Sequence, residues 1–296
     1  MTAAAGEGTG VESEQIGNYR VQNLLQTGQS SQVFEVVEVT SLRHFAMKIL
    51  LPEKAKEADH RRLLFYEASV GQKLAHPNII KILHINRDPK LPYFVMEFFP
   101  SGSLRTRLQL KQQDFIRQHV EKIFKQAATG LAYMNASHYV HRDIKPANIL
   151  VNGLGDVRII DFAIAYRPPT GLAKLFTRKQ TAMGTRSYMS PEQIRGQILD
   201  GRADIYSFGA TCYEVLTGRP PFRGMSNQDL LAKHIKEKPA TPRQYNPDIT
   251  EDFAALILRM LEKKREDRPR DFHDVLMQMR NMRILKGQPA RQAGEG

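Results

Sequence analysis

The first hundred residues contain short runs in which apolar and polar side chains alternate. These runs cover residues 19–25, 33–39, 44–50, 80–86 and 92–98. Because successive side chains of a strand point to opposite faces, this period of two predicts half-buried β-strands. A longer segment at about 57–74 has the spacing of a helix instead. The pattern therefore predicts a small strand-rich lobe with one main helix.

Helical spacing dominates from about residue 115 to near the end of the chain. Val120, Phe124, Ala127 and Leu131 recur every three or four positions, which predicts an amphipathic helix. Residues 203–216 are mostly apolar, which predicts a helix that is buried on nearly all sides. The second part of the chain is therefore expected to be a larger, helical lobe.

Together these patterns predict an α+β fold with two lobes. A small antiparallel β-rich lobe at about 18–98 precedes a mostly helical lobe at about 101–285. The cleft between them is the expected place for a functional site. Residues 1–17 and 286–296 lack periodicity and are expected to be flexible tails.

Composition supports a globular protein. The 296 residues are 41% hydrophobic and 25% charged, which allows a large core and argues against disorder. Cys212 is the single cysteine, so an intrachain disulfide is excluded. It lies in an apolar run and is expected to be buried in the core. A reducing compartment agrees with this cysteine content. Apolar runs stay well short of the ~20 residues that a membrane helix needs. We therefore expect a cytoplasmic protein whose given chain does not span a membrane.

The net charge favours anionic partners. A formal charge of +12 suits a nucleotide, an acidic protein surface or a nucleic acid. The basic residues are spread along the chain without interleaved aromatic residues, so we expect no specific nucleic-acid partner. The nine histidines are scattered and form no metal-binding pattern with the cysteine.

One loop concentrates the residues that carry chemistry. Asp143, Lys145 and Asn148 occur at fixed offsets in the sequence His-Arg-Asp-Ile-Lys-Pro-Ala-Asn, and Asp161 follows after a short predicted hairpin. Carboxylate and amide oxygens bind hard cations, and an ammonium group neutralises phosphate. The spacing therefore predicts that this loop holds a magnesium-bound nucleotide and a hydroxyl acceptor together.

With these motifs in order, the chain resembles the protein kinase family over about residues 19–283. The segments 188–193 and 204–209 are similar to the bacterial Ser/Thr kinases of the eukaryotic-like type. The resemblance implies the bilobal protein-kinase-like fold and transfer of the γ-phosphate of ATP, with Mg²⁺ or Mn²⁺, to Ser/Thr hydroxyls of protein substrates. It also implies autophosphorylation within the chain's own activation segment.

The resemblance assigns roles to the loop residues. Asp143 is expected to orient the acceptor hydroxyl and take its proton, and Lys145 to stabilise the transferring phosphate. Asn148 and Asp161 are expected to bind the metal ion. Thr185 is expected to bring its hydroxyl near Asp143 and Lys145, and together with Lys145 it indicates Ser/Thr rather than tyrosine acceptors.

The resemblance also implies a nucleotide site. Lys48 is expected to hold the α- and β-phosphates and to pair with Glu67, while Gly28 is the one of three expected loop glycines that this chain retains. Gln26 and Ser31 replace the other two glycines, which predicts that this loop binds the nucleotide phosphates less tightly. The adenine-binding positions are Val33, Ala46, Met96 and Leu150, with the backbone of Glu97 and Phe98.

Two structural pairings are implied in the helical lobe. Asp204 resembles the aspartate that braces the backbone of the catalytic loop, and Glu192 is expected to form a buried pair with Arg268.

A further position departs from the family, since Ala163 stands where relatives have the glycine of Asp-Phe-Gly. Alanine adopts positive φ poorly, so we expect Asp161 to leave the site less readily than in relatives.

Regulation is implied by Arg142, which directly precedes the catalytic aspartate. Relatives with arginine there have activation segments that are ordered by phosphorylation. Thr181 is the preferred phosphosite in this chain and Thr177 the second choice. A phosphate there would make charge-assisted hydrogen bonds with Arg142.

Other functions remain open at this stage. A pseudokinase would keep the fold and bind nucleotide without efficient phosphate transfer. The two missing loop glycines and Ala163 favour this alternative. A small-molecule kinase and a nucleic-acid-binding protein fit less well. Because the bacterial relatives often continue into a membrane helix and a sensor domain, the chain is expected to be either a stand-alone kinase or part of a longer one. The sequence indicates no oligomeric state.

Overall fold

The computed structural model describes residues 15–169, 183–280 and 282–287. This part of the chain forms two compact units. The first unit holds residues 15–65 and 82–98, and the second holds residues 66–81 and the described residues from 99 onward. The two units differ in kind, one built on a sheet and the other on helices.

The first unit is built on an antiparallel sheet of six strands in the order β1-β2-β3-β4-β6-β5. The strands are β1 (Gln15–Ile16), β2 (Tyr19–Thr27), β3 (Ser31–Glu38), β4 (His44–Leu50), β5 (Ile82–Asn86) and β6 (Tyr93–Glu97). Their core face is apolar, with Val36, Met47 and Val95 at most 1% exposed. The predicted strand-rich part is thereby confirmed, with β1 as an addition before the predicted boundary at residue 18.

Helices make up most of the second unit. In chain order, the described residues of both units contain the helices α1 (Pro52–Ala55), α2 (Ala58–Lys73), α3 (Leu104–Gln109), α4 (Gln113–Ala136), α5 (Pro191–Ile194), α6 (Gly201–Thr217), α7 (Asn227–Lys236), α8 (Glu251–Met260) and α9 (Phe272–Arg280). A small sheet joins β7 (Gly102–Ser103), β8 (Ile149–Val151) and β9 (Val157–Ile159). The predicted α+β class is confirmed. Within the described ranges, no helix has both the length and the apolarity to cross a membrane.

Helix α6 is the centre of the second unit. Every residue from Ala203 to Leu216 is buried, as the apolar run predicts. The Asp200 side chain caps its first turn, and Gly218 ends it in the left-handed conformation that glycine adopts most easily. Phe208 of α6 contacts Phe124 of α4, with ring centroids 6.0 Å apart. Cys212 is fully buried and burial raises the pKa of its thiol, so it is a packing residue as expected.

One predicted strand begins later than its sequence pattern suggested. The run at 80–86 becomes β5 only from Ile82, because the preceding backbone pairs elsewhere. Ile80 N–H donates to the Ile159 carbonyl at 3.0 Å, and Ile159 N–H donates to the Asn78 carbonyl at 2.8 Å. Residues 78–80 are thereby tied to β9 in the second unit.

The predicted pair of Glu192 and Arg268 is confirmed. Both guanidinium ends donate to the carboxylate, Nη1 to Oε1 at 2.7 Å and Nη2 to Oε2 at 2.8 Å. The Arg268 side chain is fully buried and that of Glu192 is 5% exposed. Arg268 also donates to the backbone carbonyls of Glu262 and Arg202. The pair therefore connects α5 to the start of α6 and to the segment after α8.

Arg268→Ala is expected to lower the free energy of unfolding by about 3–5 kcal/mol, because Glu192 would remain buried without its counter-ion. Urea denaturation measures this loss. Arg62→Ala is the control, since Arg62 pairs with Asp59 on the surface and should lose less than about 1 kcal/mol. The double variant Glu192→Gln, Arg268→Met should regain part of the loss. A cost for Arg268→Ala no larger than that of the control would contradict the buried-pair argument.

Candidate active site

The backbone of the loop at 141–148 is held by one buried carboxylate. Asp204 accepts hydrogen bonds from the backbone N–H of His141 at 2.8 Å and of Arg142 at 2.9 Å, and from Asn135 Nδ2 at 3.1 Å. Burial raises the pKa of Asp204, and His141 and these donors act in the opposite direction. The bracing role expected for Asp204 is confirmed by these contacts.

A second contact fixes the carbonyl side of Arg142. The Arg142 carbonyl accepts a hydrogen bond from Gln193 Nε2 at 2.8 Å. Gly184 also packs against this carbonyl, with φ at +118°, and a Cβ there would lie 2.7 Å from the Arg142 oxygen. Only glycine allows so close an approach. Neither role was predicted from the sequence, because nothing in the spacing relates Gln193 or Gly184 to Arg142.

Asp143, Lys145 and Thr185 form one hydrogen-bonded cluster. Lys145 Nζ lies 2.6 Å from Asp143 Oδ2 and 2.7 Å from Thr185 Oγ1. The Thr185 N–H donates to Asp143 Oδ1 at 2.8 Å. Burial acts to raise the pKa of Asp143, but Lys145 and the hydrogen bonds from Thr185 outweigh it and the pKa is lowered. Asp143 is therefore ionised at neutral pH and can accept a proton or a hydrogen bond.

The two expected metal ligands lie on adjoining segments. The Asn148 carbonyl accepts the N–H of Ile160 at 3.1 Å, which brings the residue before Asp161 against the loop. Asn148 Nδ2 donates to the Asp143 carbonyl at 2.8 Å and to Asp143 Oδ2 at 3.1 Å. Because both bonds use the amide nitrogen, the Asn148 side-chain oxygen remains an acceptor. That oxygen and the Asp161 carboxylate are the ligand type that Mg²⁺ or Mn²⁺ prefers, so these residues fit a divalent cation.

Asp161 itself adopts the left-handed backbone conformation, with φ at +70°. Ala163 does not belong to the described residues with positive φ. Its N–H faces Asp161 Oδ1 at 3.4 Å. Alanine therefore fits this conformation without strain, and the expectation that Asp161 leaves the site less readily stays a prediction.

Four of the expected nucleotide-binding residues share one face of the first unit's sheet. Val33 on β3 lies directly opposite Lys48 on β4, and Ala46 on β4 lies opposite Met96 on β6. Because residues opposite each other point to the same face, and Ala46 and Lys48 are two positions apart, all four side chains project together. Lys48 Nζ lies 6.0 Å from the centroid of the Phe94 ring. The sheet register thus gives one surface with three apolar positions and a lysine.

The remaining predicted residues are distributed over both units. In the first unit, the Gly28 N–H donates to the Ser31 carbonyl at 2.8 Å and closes the β2–β3 turn, and Glu97 ends β6 just before Phe98. In the second unit, Glu67 is 5% exposed on α2 and Leu150 lies on β8. The phosphosite candidates Thr181 and Thr177 lie outside the described residues.

Comparison with known proteins agrees with this geometry. The model of the protein kinase domain matches residues 19–280. The chain belongs to the protein kinase family. Kinases of this family use ATP with a divalent cation, which agrees with the ligand types gathered at Asp143, Asn148 and Asp161.

Several relatives are bacterial. The kinase domain is 34% identical over 265 residues to a protein of Corynebacterium efficiens named as a probable serine/threonine-protein kinase, covering 84% of this chain and 39% of that protein. It is 32% identical over 277 residues to the serine/threonine-protein kinase PknB of Mycobacterium leprae, covering 92% of this chain and 43% of the relative. The chain therefore spans about two fifths of the length of these relatives.

Residues 184–192 of the kinase domain have a buried anchor that was not predicted. Tyr188 donates its hydroxyl proton to Glu214 of α6. Arg105 of α3 donates to Glu214 Oε1 at 2.9 Å and also reaches the Tyr188 hydroxyl. Burial and Glu214 raise the pKa of Tyr188, so the phenol stays protonated and acts as a donor. The three residues are 26 to 109 positions apart in the chain, so sequence spacing gave no signal for them.

Tyr66 of the kinase domain makes another contact that was missed. Its hydroxyl donates to the carbonyl of Ala165 at 2.6 Å. Ala165 lies four residues after Asp161, and the next residue, Tyr166, pairs with Val140 through two backbone hydrogen bonds. Tyr66 directly precedes Glu67 on α2. This hydrogen bond therefore connects the helix turn that carries Glu67 to the segment that carries Asp161.

Tyr66→Phe is expected to lower the free energy of unfolding by about 1 kcal/mol and to speed amide hydrogen exchange around Ala165 and the second half of α2. The substitution keeps the ring and removes only the donor to a backbone carbonyl. Hydrogen exchange by mass spectrometry and urea denaturation measure the two effects. Tyr245→Phe is the control, because Tyr245 is equally exposed at 38% and its hydroxyl bonds no described residue. Unchanged exchange in both segments would show that the contact does not couple them.

Proposed function

We propose that this kinase domain transfers the γ-phosphate of ATP to serine and threonine hydroxyls of protein substrates. The observation that carries the proposal is the bridge that Lys145 makes between Asp143 and Thr185. It joins the expected catalytic carboxylate to the segment that faces the acceptor, and it leaves a lysine charge beside both. We further propose that the domain runs from about 18 to 285 with tails on either side, and that it acts in the cytoplasm, where ATP is available.

In the proposed reaction, Asp143 accepts a hydrogen bond from the substrate hydroxyl and orients its oxygen toward the γ-phosphorus. The new oxygen–phosphorus bond forms as the bond from the γ-phosphorus to the β–γ bridging oxygen breaks, and ADP leaves with that electron pair. The hydroxyl proton passes to Asp143. Lys145 neutralises charge on the transferring group. Because the transition state is loose, an ionised carboxylate with a lowered pKa suffices for this role.

Nucleotide binding is proposed for the shared sheet face of the first unit, with Lys48 directed to the phosphates. The apolar positions at Val33, Ala46 and Met96, with Leu150 from the second unit, would contact adenine, and the backbone of Glu97 and Phe98 would bind its edge. Glu67 would hold Lys48 as an ion-pair partner, and Gly28 would cover the phosphates. Support comes from the strand register and from the family membership.

We assign the metal ion to Asn148 and Asp161. A bound Mg²⁺ or Mn²⁺ would supply charge neutralisation for the β- and γ-phosphates. Asn148 is held by the two bonds of its amide nitrogen to Asp143, which directs its oxygen away from that residue. Asp161, whose backbone is left-handed, would supply the second oxygen ligand.

Asp143→Asn is expected to reduce phosphate transfer by about 10²–10⁴-fold, because the substrate hydroxyl loses its proton acceptor. Labelled ATP with Mg²⁺ or Mn²⁺ and a generic basic protein acceptor provides the assay, and phosphoamino-acid analysis identifies the acceptor residue. Asp156→Asn is the matched control, since Asp156 also pairs with a lysine, Lys122, at 2.7 Å. The control should keep full activity.

The same assay separates the proposal from the pseudokinase alternative. Absence of transfer by the unmodified chain, with stabilisation of about 2.7 kcal/mol by Mg-ATP at ~100 Kd, would replace the enzyme by a nucleotide-binding scaffold. Transfer that survives in Asp143→Asn would contradict the role of Asp143. Phosphotyrosine as the main product would contradict the specificity proposed from Lys145 and Thr185.

We propose that Arg142 senses phosphorylation of Thr181. The Arg142 guanidinium lies 5.5 Å from the centroid of the Tyr166 ring, and the residue is 9% exposed. Burial lowers the pKa of Arg142, and Tyr166, Tyr66 and Asp204 act in the opposite direction. A phosphate of charge about −1.5 to −2 on Thr181 would add charge-assisted hydrogen bonds to this guanidinium.

Thr181→Ala is expected to lower activity about tenfold, measured after the enzyme has been incubated with ATP. This factor corresponds to ~1.4 kcal/mol of free energy that ordering by the phosphate would have contributed. Phosphatase treatment should lower the wild type to the same level and leave Thr181→Ala unchanged. Thr177→Ala is the matched control and should respond like the wild type. Full activity of Thr181→Ala before and after phosphatase treatment would refute the switch.

A further inference from the structure

A lysine outside the proposed active site is enclosed by aromatic rings. Lys263 follows α8, and its Nζ lies 4.3 Å from the centroid of the Phe222 ring and 5.6 Å from that of Tyr206. The same nitrogen lies 3.4 Å from the Tyr206 hydroxyl. The residue is only partly exposed. We call Lys263, Tyr206 and Phe222 the lysine cage.

The cage gives the ammonium group no acidic partner. No carboxylate of the described residues lies within 4.0 Å of Lys263 Nζ, and the nearest acids that act on it, Glu262 and Glu237, do so only at longer range. Arg268 adds a second positive charge, with its guanidinium 5.0 Å from the Tyr206 ring centroid. Burial first, and Arg268 next, lower the pKa of Lys263 to about 8.

The remaining titratable neighbour does not change this charge balance. His234 of α7 is fully buried, and burial followed by the Lys263 charge lowers its pKa to about 3, so it is neutral near pH 7. Its Nδ1 lies 2.9 Å from the Tyr206 hydroxyl. Tyr206 stays protonated because burial raises its pKa. The Tyr206 hydroxyl therefore shares a hydrogen bond with His234 Nδ1 and presents a lone pair to the lysine nitrogen.

We propose that Lys263 is a nucleophilic lysine that is acylated by acyl phosphates. A desolvated amine beside another cation is the usual arrangement of an activated lysine. The chain carries a net charge of +12, Lys264 and Arg265 directly follow Lys263, and Arg268 lies over the Tyr206 ring, so a dianionic donor is attracted to this part of the chain. This proposal is independent of phosphate transfer from ATP.

The reaction follows from the uncharged amine. The Lys263 nitrogen attacks the carbonyl carbon of the acyl phosphate and forms the C–N bond. The C–O bond to phosphate breaks, phosphate leaves with the electron pair, and the amine proton passes to it or to water. The resulting amide keeps one N–H for the Tyr206 hydroxyl but loses the charge that faced the two rings.

The neighbouring lysine makes a quantitative test possible. With a pKa of about 8, about one Lys263 in ten would be uncharged at pH 7, against about one in two thousand for an ordinary lysine. Part of this advantage is lost because a less basic nitrogen is a weaker nucleophile, as in thiol chemistry. We therefore expect acetylation of Lys263 to be about tenfold faster than that of Lys264, which is exposed and directly follows it.

The experiment uses the whole folded chain and acetyl phosphate at low conversion, from pH 7 to 10. Fragment-ion mass spectrometry after digestion quantifies the two sites separately. The expected result is the tenfold preference at pH 7, a rate for Lys263 that levels off above about pH 8, and equal rates in urea. Phe222→Leu, which opens the cage to water, should bring Lys263 toward the rate of Lys264.

Three results would overturn the proposal. Equal rates at the two lysines in the folded chain would show that the cage is only a packing arrangement. A preference that persists in urea would assign it to the local sequence. A preference that survives Phe222→Leu, in a variant shown to be folded by its unfolding curve, would exclude the rings as its cause.

Discussion

The position of the proposed active site depends on the carboxylate of Asp204. It accepts two consecutive backbone N–H groups, those of His141 and Arg142, and the residue is completely buried. A buried N–H without an acceptor costs about 1–3 kcal/mol, so loss of the carboxylate would leave two such groups unpaired at once. Asp204 lies in the first turn of α6, the most completely buried helix of the second unit. The position of the loop at 141–148 is therefore fixed by a residue of the buried helix α6.

The same helix also helps to hold the chain segment that begins at Gly184. Residues 184–192 are held at three points: Thr185 by Lys145, Tyr188 by Glu214 of α6, and Glu192 by Arg268. Arg268 in turn donates to the Arg202 carbonyl at the start of α6. Each contact involves a charged group whose partner lies far away in sequence. Hydrogen bonds to charged groups thus help to set the position of residues 184–192 relative to Asp143.

How far the sequence predicts this molecule depends on whether the signal is local. The strands and α6 follow from periodicity, and Asp143, Lys145 and Asn148 follow from spacing within one loop. Asp204 and the Glu192–Arg268 pair could be predicted only through family resemblance, since no local pattern joins them. The contacts of Tyr66, Gln193 and Arg105 could not be predicted, because each depends on a side chain meeting a backbone or an acid that only the tertiary fold brings near. Ile80 shows the same limit for the backbone, since its apolar run continues into β5 while its N–H pairs with β9.

Backbone strain at the site lies at Arg142 and Asp161 and not at Ala163. Arg142 and Asp161 both adopt positive φ, at +72° and +70°, and each such residue costs about 1–3 kcal/mol. At Arg142 the cost is offset because Asp204 and Gln193 bind its N–H and carbonyl. Ala163 needs no such compensation, because its own φ is not positive. Where alanine fits the native backbone, it stabilises a fold by about 0.4–1 kcal/mol over glycine by restricting the unfolded chain. Alanine at 163 is therefore compatible with the native backbone, and the expectation that it keeps Asp161 in the site stays a prediction.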